Sequence, residues 1–461
     1  MSSTSYLPIT FIPTNSFHSN INTIYLSNSL MKYWALNPSE EIRICLGLKC
    51  YQVKVEMRAL ERDCILVSTN FYKEVPIPIE KIRLMSQYEE KTKTLYIGPI
   101  IALLTEVNDM EGEPIFRSIH TFCEELHYAS TITGGLFYVF HIKDISEDVI
   151  EGFYFNGNNW TKSKITLPNV IYNRTHSRKL ESSPYFKKVI NDISLKGIPI
   201  FNERFLSKWE VHEILYKEDY LHPFLPETQL LNQENLIPFL KRHSTIFIKP
   251  INGSQGRNIF KASLQEEKVI VEASTAWGSD KYRKFDTLVD FQEWFNKRRK
   301  EVKFIIQQSI PLLTFEERQL DFRVLCHKDH QDNWKTTSIV ARASEKKQFV
   351  SNLARGGEML KPIDPLTKLF EQQTAYAQVA WMKELSLEVA NIISQSSSGI
   401  VGELGIDIGV DNDGKLWIIE VNSKPSKNAE EQTSKIRPSA KSIYEYSTAL
   451  AFHFLKGYRG R

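Results

Sequence analysis

An α+β fold class follows from three observations on this sequence. Short runs that alternate apolar and polar residues fill positions 1–93, a strand–helix–strand rhythm occupies 94–200, and strands mixed with long amphipathic helices run from 201 to 461. These periods, two and then 3.6 residues, separate half-buried strands from helices that cover a core. Three units are expected at those boundaries: a β-rich N-terminal domain (1–93), a small α/β domain (94–200) and a larger α+β domain (201–461).

In the first unit, EIRICLGL, YQVKVEM and CILVS read as strands punctuated by turn residues. TLYIGPIIALLTE reads as one buried strand feeding the second unit. SIHTFCEELHYAST then predicts a helix and GGLFYVFHI another strand. The third unit opens with a helix at SKWEVHEILYK. Strands follow at STIFIKP, VKFIIQQSI and DFRVLCHK, then a helix at AYAQVAWMKELSLEVANIISQ, a hairpin, and a closing helix around AKSIYEYSTALAFHFL. SLQEEK and FNKRRKEVK are read as exposed loops or helix faces.

Composition narrows the function classes. With 58 Lys and Arg against 55 Asp and Glu, the net charge of +3 gives no case for a nucleic-acid footprint. No run of about 18 apolar residues predicts a membrane span, and the N-terminus lacks the pattern of a signal peptide. The five cysteines lack CxxC spacing and are read as reduced packing residues of a cytoplasmic protein. HEILY at His212 has Tyr216 where a zinc helix needs its second His. There is no Walker A sequence and no GxGxxG.

The stretch GIDIGVDNDGKLWIIEVNSKPS (405–426) carries two acids inside apolar runs. A two-residue turn at Asp413-Gly414 would pair 412 with 415, 410 with 417, 408 with 419 and 406 with 421. Asp407 then lies opposite Glu420, with Asn422 on the same face. Opposed like charges destabilise a ladder, and a divalent cation removes that cost. Two carboxylates and an amide oxygen are hard ligands suited to Mg²⁺. The hairpin alone leaves a metal site and a solvated acidic face both open.

Upstream, IFIKPINGSQGRNI ends a strand at Lys249 and continues into a loop whose glycines let backbone N–H groups approach phosphate. Lys208, near a helix start, is a second phosphate candidate or an ordinary surface lysine. DFR sets Asp321 and Arg323 on one side of a strand. Arg342, Asn352 and Arg355 surround a glycine pair in RASEKKQFVSNLARGGEM, and arginine suits bidentate contacts with phosphate or carboxylate. Arg174, Arg342 and Arg355 are read either as recognising an acidic acceptor or as structural.

Lys208, IKP.NGSQG, QQSI, DFR, SNLARGG and GIDIG…IIEVNSKPS occur in the order and approximate spacing of the ATP-grasp superfamily. The wording IYNR, SKWEVH, SNLARGG and EVNSKPS further resembles its endospore coat-associated YheC/YheD-type branch. The resemblance implies two subdomains gripping ATP, preceded by a small α/β domain. It assigns Lys208 and Lys249 to the nucleotide phosphates, and Gly253, Ser254, Gln255 and Gly256 to the loop over the β- and γ-phosphates. Gln308 and Ser309 would form the adenine hinge, and Asp321 would accept from the ribose. Arg323 would stand near the transferred phosphoryl group, and Asn352 would reach the γ-phosphate and metals. Asp407, Glu420 and Asn422 would hold Mg²⁺, typically two ions. The sequence departs from the common pattern at Gln308, where Glu is frequent, and at Ser207, where Asp is frequent.

The activity so implied is a Mg²⁺-ATP-dependent carboxylate–amine or carboxylate–thiol ligase working through an acyl phosphate, with Arg323 and Lys249 as catalytic residues. Spore-coat proteins are the partners the resemblance suggests, and spore-coat association the location it adds to the cytoplasm. The alternatives are a nucleotide-binding coat assembly protein without turnover, and a kinase.

Overall fold

The alternating runs at the N-terminus close into a barrel in the computed structural model, which describes residues 6–14, 23–79, 81–108, 112, 114–253, 256–277, 280–299, 302–345, 357–427 and 436–457. Around the barrel the strands are Leu7–Thr14, Cys64–Ser68, Thr23–Ser27, Lys49–Arg58, Glu41–Leu46, Thr94–Gly98 and Ile82–Glu89, the last returning to the first. Closure leaves no unpaired edge, and alternate residues such as Ile9 and Phe11, Ile24 and Leu26, Val53 and Val55 are fully buried. The stretch expected as one strand at 94–104 is two. Thr94–Gly98 closes the barrel and Ile100–Leu104 enters the next sheet, because Pro99 between them has no N–H to continue a ladder.

One cysteine expectation is corrected here. The antiparallel pairing of Glu41–Leu46 with Lys49–Arg58 sets Cys45 opposite Cys50, 4.1 Å apart at Cα, and the two form a disulfide. Cys64, Cys123 and Cys326 are free and buried.

The second sheet runs Trp160–Thr166, Val149–Phe155, Leu136–Phe140, Ile100–Leu104, Val170–Asn173, Ile200–Phe201. Helix His120–Thr133 connects the parallel pair Ile100–Leu104 and Leu136–Phe140, the crossover that parallel strands require. The hairpin made by Val149–Phe155 and Trp160–Thr166 was not anticipated from the sequence.

The third sheet runs Thr228–Leu230, Phe304–Gln308, Thr245–Pro250, Phe260–Gln265, Lys268–Trp277, Asp280–Phe285, covered by helices Leu236–His243 and Leu288–Arg299 that bury Phe239, Phe291 and Phe295. SLQEEK, expected as a loop or helix face, is instead two strand ends and the Glu266-Glu267 turn between them. In the fourth sheet the order is Glu358–Leu360, Trp334–Ala343, Arg318–Lys328, Glu403–Val410, Leu416–Asn422. The long helix Gln372–Ser396 lies on it and buries Met382, Val389 and Ile393. Among the described residues no helix is long and apolar enough to cross a membrane.

A fully buried carboxylate joins the second and fourth sheets. Glu403 accepts from Tyr172 Oη and Lys427 Nζ, meets His327 Nε2 at 2.9 Å, and lies 3.4 Å from Arg174 Nη1. Arg174 also donates to Pro425 O at 2.8 Å. Burial pushes the Glu403 carboxyl up, but Lys427, His327 and Arg174 outweigh it and hold the group well below the usual carboxylate range. Arg174 is therefore fixed in a structural role. Removing one partner of a buried ion cluster leaves the others uncompensated, so Glu403→Ala should cost about 3–5 kcal/mol. The check is the shift of the urea unfolding midpoint, and an unmoved midpoint would show that the cluster contributes no net stability.

Candidate functional site

Strands Glu403–Val410 and Leu416–Asn422 pair Ile406 with Val421 and Asp407 with Glu420, as the sequence predicts at that end. The turn differs from the expected two-residue form. Asp411 Oδ1 accepts from Asp413 N and Lys415 N, which closes a three-residue loop with Gly414 in the left-handed region at φ 81°. Pairing near the turn is therefore Val410 with Leu416 and Ile408 with Ile418, instead of 410 with 417 and 408 with 419. A bulge at Ile419 restores the register, so the two acids still face each other.

Glu420 opens onto a solvent-open cleft between the third and fourth sheets. Helix Lys208–Leu215 forms one wall. Ser207 caps it, its Oγ accepting from Glu210 N at 3.1 Å while the Glu210 carboxylate reaches back to Ser207 N. A serine at this position thus has its own structural reason. Lys208 Nζ donates to Glu420 Oε1 at 2.6 Å and to Gly253 O at 3.2 Å. Gly253 turns so tightly that a Cβ there would lie 2.6 Å from Pro250 Cγ. Lys249, at the end of its strand, donates to Gln307 Oε1 at 2.5 Å, and Gln307 Nε2 donates to Thr228 Oγ1 at 3.0 Å. Leu225, Pro226, Ile305 and Ile418 give the cleft an apolar wall, with His212 and Thr228 beside it, a slot suited to a flat ring.

Beside the cleft lies a ladder of ion pairs. Arg323 grips Asp407 with both Nε and Nη2, the latter at 2.9 Å. Arg342 grips Asp321 at 2.6 and 2.7 Å and reaches Asp407 Oδ1 at 3.1 Å. Asn422 Nδ2 lies 3.5 Å from Asp407 Oδ2. Burial raises the Asp407 carboxyl, but the Arg323 and Arg342 guanidiniums outweigh it and hold the group below its ordinary value. The repulsion between Asp407 and Glu420 is thus met by Arg323, Arg342 and Lys208 in this chain. Asp407, Glu420 and Asn422 supply hard oxygen donors, and that donor set fits a Mg²⁺ ion.

The structure brings together Lys208, Lys249, Gly253, Arg323, Asp407, Glu420 and Asn422, with Gly256 at the far side of its loop at φ 64°. Ser254, Gln255, Asn352 and Arg355 lie outside the described residues. Asp321, expected at a ribose, gives both its oxygens to Arg342. Gln308 and Ser309, expected as an adenine hinge, donate through their backbone N–H groups to Glu227 O and Thr245 O, and the Gln308 side chain accepts from Glu227 N. The side chain facing the cleft is that of Gln307. Period two identifies it, since Phe304 and Ile306 turn to the core.

Burial pushes the Lys249 ammonium down to about 8, with Glu420 acting the other way. Lys249 therefore carries its proton below that value and loses it above. Affinity of the cleft for a polyphosphate should fall as pH rises from 7 to 9, and Lys249→Met should flatten that dependence. Calorimetric titration of ATP across this range checks the sign.

A sequence profile for the family described as YheC/D-like ATP-grasp matches residues 197–450, more than half of the chain. The endospore coat-associated protein YheD of Bacillus subtilis (strain 168) is 28% identical over 417 residues, 88% of each chain. YheC of the same organism is 24% identical over 295 residues, 62% of this chain and 79% of its own. Among solved structures, the VanG D-Ala:D-Ser ligase from Enterococcus faecalis aligns with a TM-score of 0.47 at 11% identity, over 77% of this chain and 99% of its own. The chain belongs to the YheC/D-like ATP-grasp family.

Proposed function

We propose that this protein is an ATP-dependent ligase that activates a carboxylate as an acyl phosphate for attack by an amine or thiol. The observation that carries this reading is the meeting of Lys208, Lys249 and Glu420 at the mouth of an apolar slot, directly against the Asp407–Arg323–Arg342 cluster. The slot accepts a flat base, and the two lysines take the phosphates. Asp407, Glu420 and Asn422 would hold Mg²⁺, which neutralises phosphate charge when bound. The family's usual two ions are part of this reading.

Phosphoryl transfer asks for in-line positioning and charge neutralisation more than for covalent help from the protein. Lys249 binds the phosphate chain from the third sheet. Arg323 is placed to neutralise the transferred phosphoryl group once the Asp407 charge is met from elsewhere. Asp321 positions Arg342, in place of a ribose contact. Gly253 and Gly256 belong to the segment the motif assigns to the β- and γ-phosphates, and Ser254, Gln255 and Asn352 belong to this proposal on the motif alone. Gln308 and Ser309 contribute to the hinge through their remaining backbone groups.

A second reading rests on the relatives named as endospore coat-associated. In it the protein binds nucleotide as part of a coat assembly and does not turn over. ADP release that requires an added carboxylate excludes this reading.

The first test is calorimetric titration of ATP with Mg²⁺ and with EDTA. Asp407→Asn and Glu420→Gln should each weaken Mg²⁺-ATP binding roughly 10–100-fold, the loss of one charge-assisted contact, and abolish turnover, with far-UV circular dichroism unchanged. Binding that is indifferent to EDTA and to both substitutions overturns the metal assignment.

A further inference from the structure

Arg178 has a guanidinium that acids influence only from beyond contact distance. It lies beside Phe205, 4.4 Å from the ring centroid, and Nη2 donates to Leu206 O at 3.1 Å. Nε is buried without a hydrogen-bond partner, and no carboxylate among the described residues lies within ion-pair distance. Its carbonyl partner stands two residues before Lys208, the residue bonded to Glu420, and the Glu420 charge acts on the guanidinium. Burial lowers its affinity for a proton, with Glu181, Glu420 and Glu210 opposing. Lys424 stands 4.7 Å from the centroid of the same Phe205 ring but is bound by Glu181. A half-buried arginine with an open edge, resting on an aromatic floor, suits a planar carboxylate.

We infer that Arg178 binds the carboxylate of the acceptor substrate and presents it to the nucleotide. This inference rests on the ligase reading above. One carboxylate oxygen attacks the γ-phosphorus, and the bond from phosphorus to the β–γ bridging oxygen breaks. ADP leaves with that electron pair, giving an acyl phosphate. The amine or thiol then displaces phosphate from the acyl carbon and releases a proton. The second domain, which carries Arg178, thus contributes to substrate choice.

The test uses the full chain loaded with Mg²⁺ and β,γ-imido-ATP, with succinate and acetate titrated by calorimetry. Arg178→Met should weaken succinate binding tenfold or more, and Arg178→Lys, which keeps charge without the fork, should fall between. Phe205→Leu should give a smaller loss. Affinity for the ATP analogue should stay within twofold in all three. Equal succinate binding in Arg178→Met overturns the inference, as does absence of both carboxylates from the wild-type complex. Parallel loss of analogue affinity also overturns it, making Arg178 a phosphate or structural residue. If the wild type fails to bind the analogue, the ligase reading falls first. The same succinate titrations on the nucleotide-free chain then decide whether Arg178 holds a carboxylate.

Discussion

Two carboxylates face each other across a hydrogen-bonded ladder, and the surroundings of Asp407 and Glu420 are organised around supplying positive charge. Opposed unit charges about 5 Å apart repel by roughly 3 kcal/mol at an effective dielectric of about 20, too much for a ladder to absorb unaided. Lys208 answers Glu420, and Arg323 and Arg342 answer Asp407. Arg342 in turn needs Asp321 to complete its own pairing. With Lys249 added, the cluster carries more cationic than anionic side chains, so a polyanion entering the cleft meets a net attraction while every acid is already partnered.

The position of Glu420 depends on groups far away in the chain. The segment that follows it, Asn422–Lys427, is anchored at both of its lysines: Lys424 to Glu181 and Lys427 to Glu403. Asn202 adds Nδ2 bonds to Glu403 O at 2.7 Å and Ser423 O at 2.5 Å. Ordering from the second sheet is thereby transmitted to the strand that carries the site. Burial lowers Lys424 and Lys427 to about 8, with their acids acting in the other direction.

The legible parts of this protein were those governed by local periodicity. The helices at Lys208, His120 and Gln372 and the strands ending at Lys249 and Gln308 could be placed because each has one apolar face. The pairing of Asp407 with Glu420 was expected from a two-residue turn that does not form, and it holds because the bulge at Ile419 offsets the longer loop. The Glu403 cluster could not be found this way, because its partners Tyr172 and Arg174 lie more than 200 residues upstream and no local pattern links them. The Cys45–Cys50 pair had a signal that was passed over. A tight turn at Gly47 between two alternating runs puts residues five apart directly opposite. Gln307, whose side chain faces the cleft beside Lys249, was not singled out, and one step along a strand is enough to move a side chain to the other face.

The turn and the bulge of the site hairpin are separate irregularities whose effects cancel. The three-residue loop advances the pairing by one residue, and Ile419 takes that residue back before the acids are reached. The two act on opposite sides of the closing Asp411–Lys415 pair: the loop beyond it can vary in length without moving a strand residue, whereas the bulge inside it decides which residue of the second strand meets Asp407.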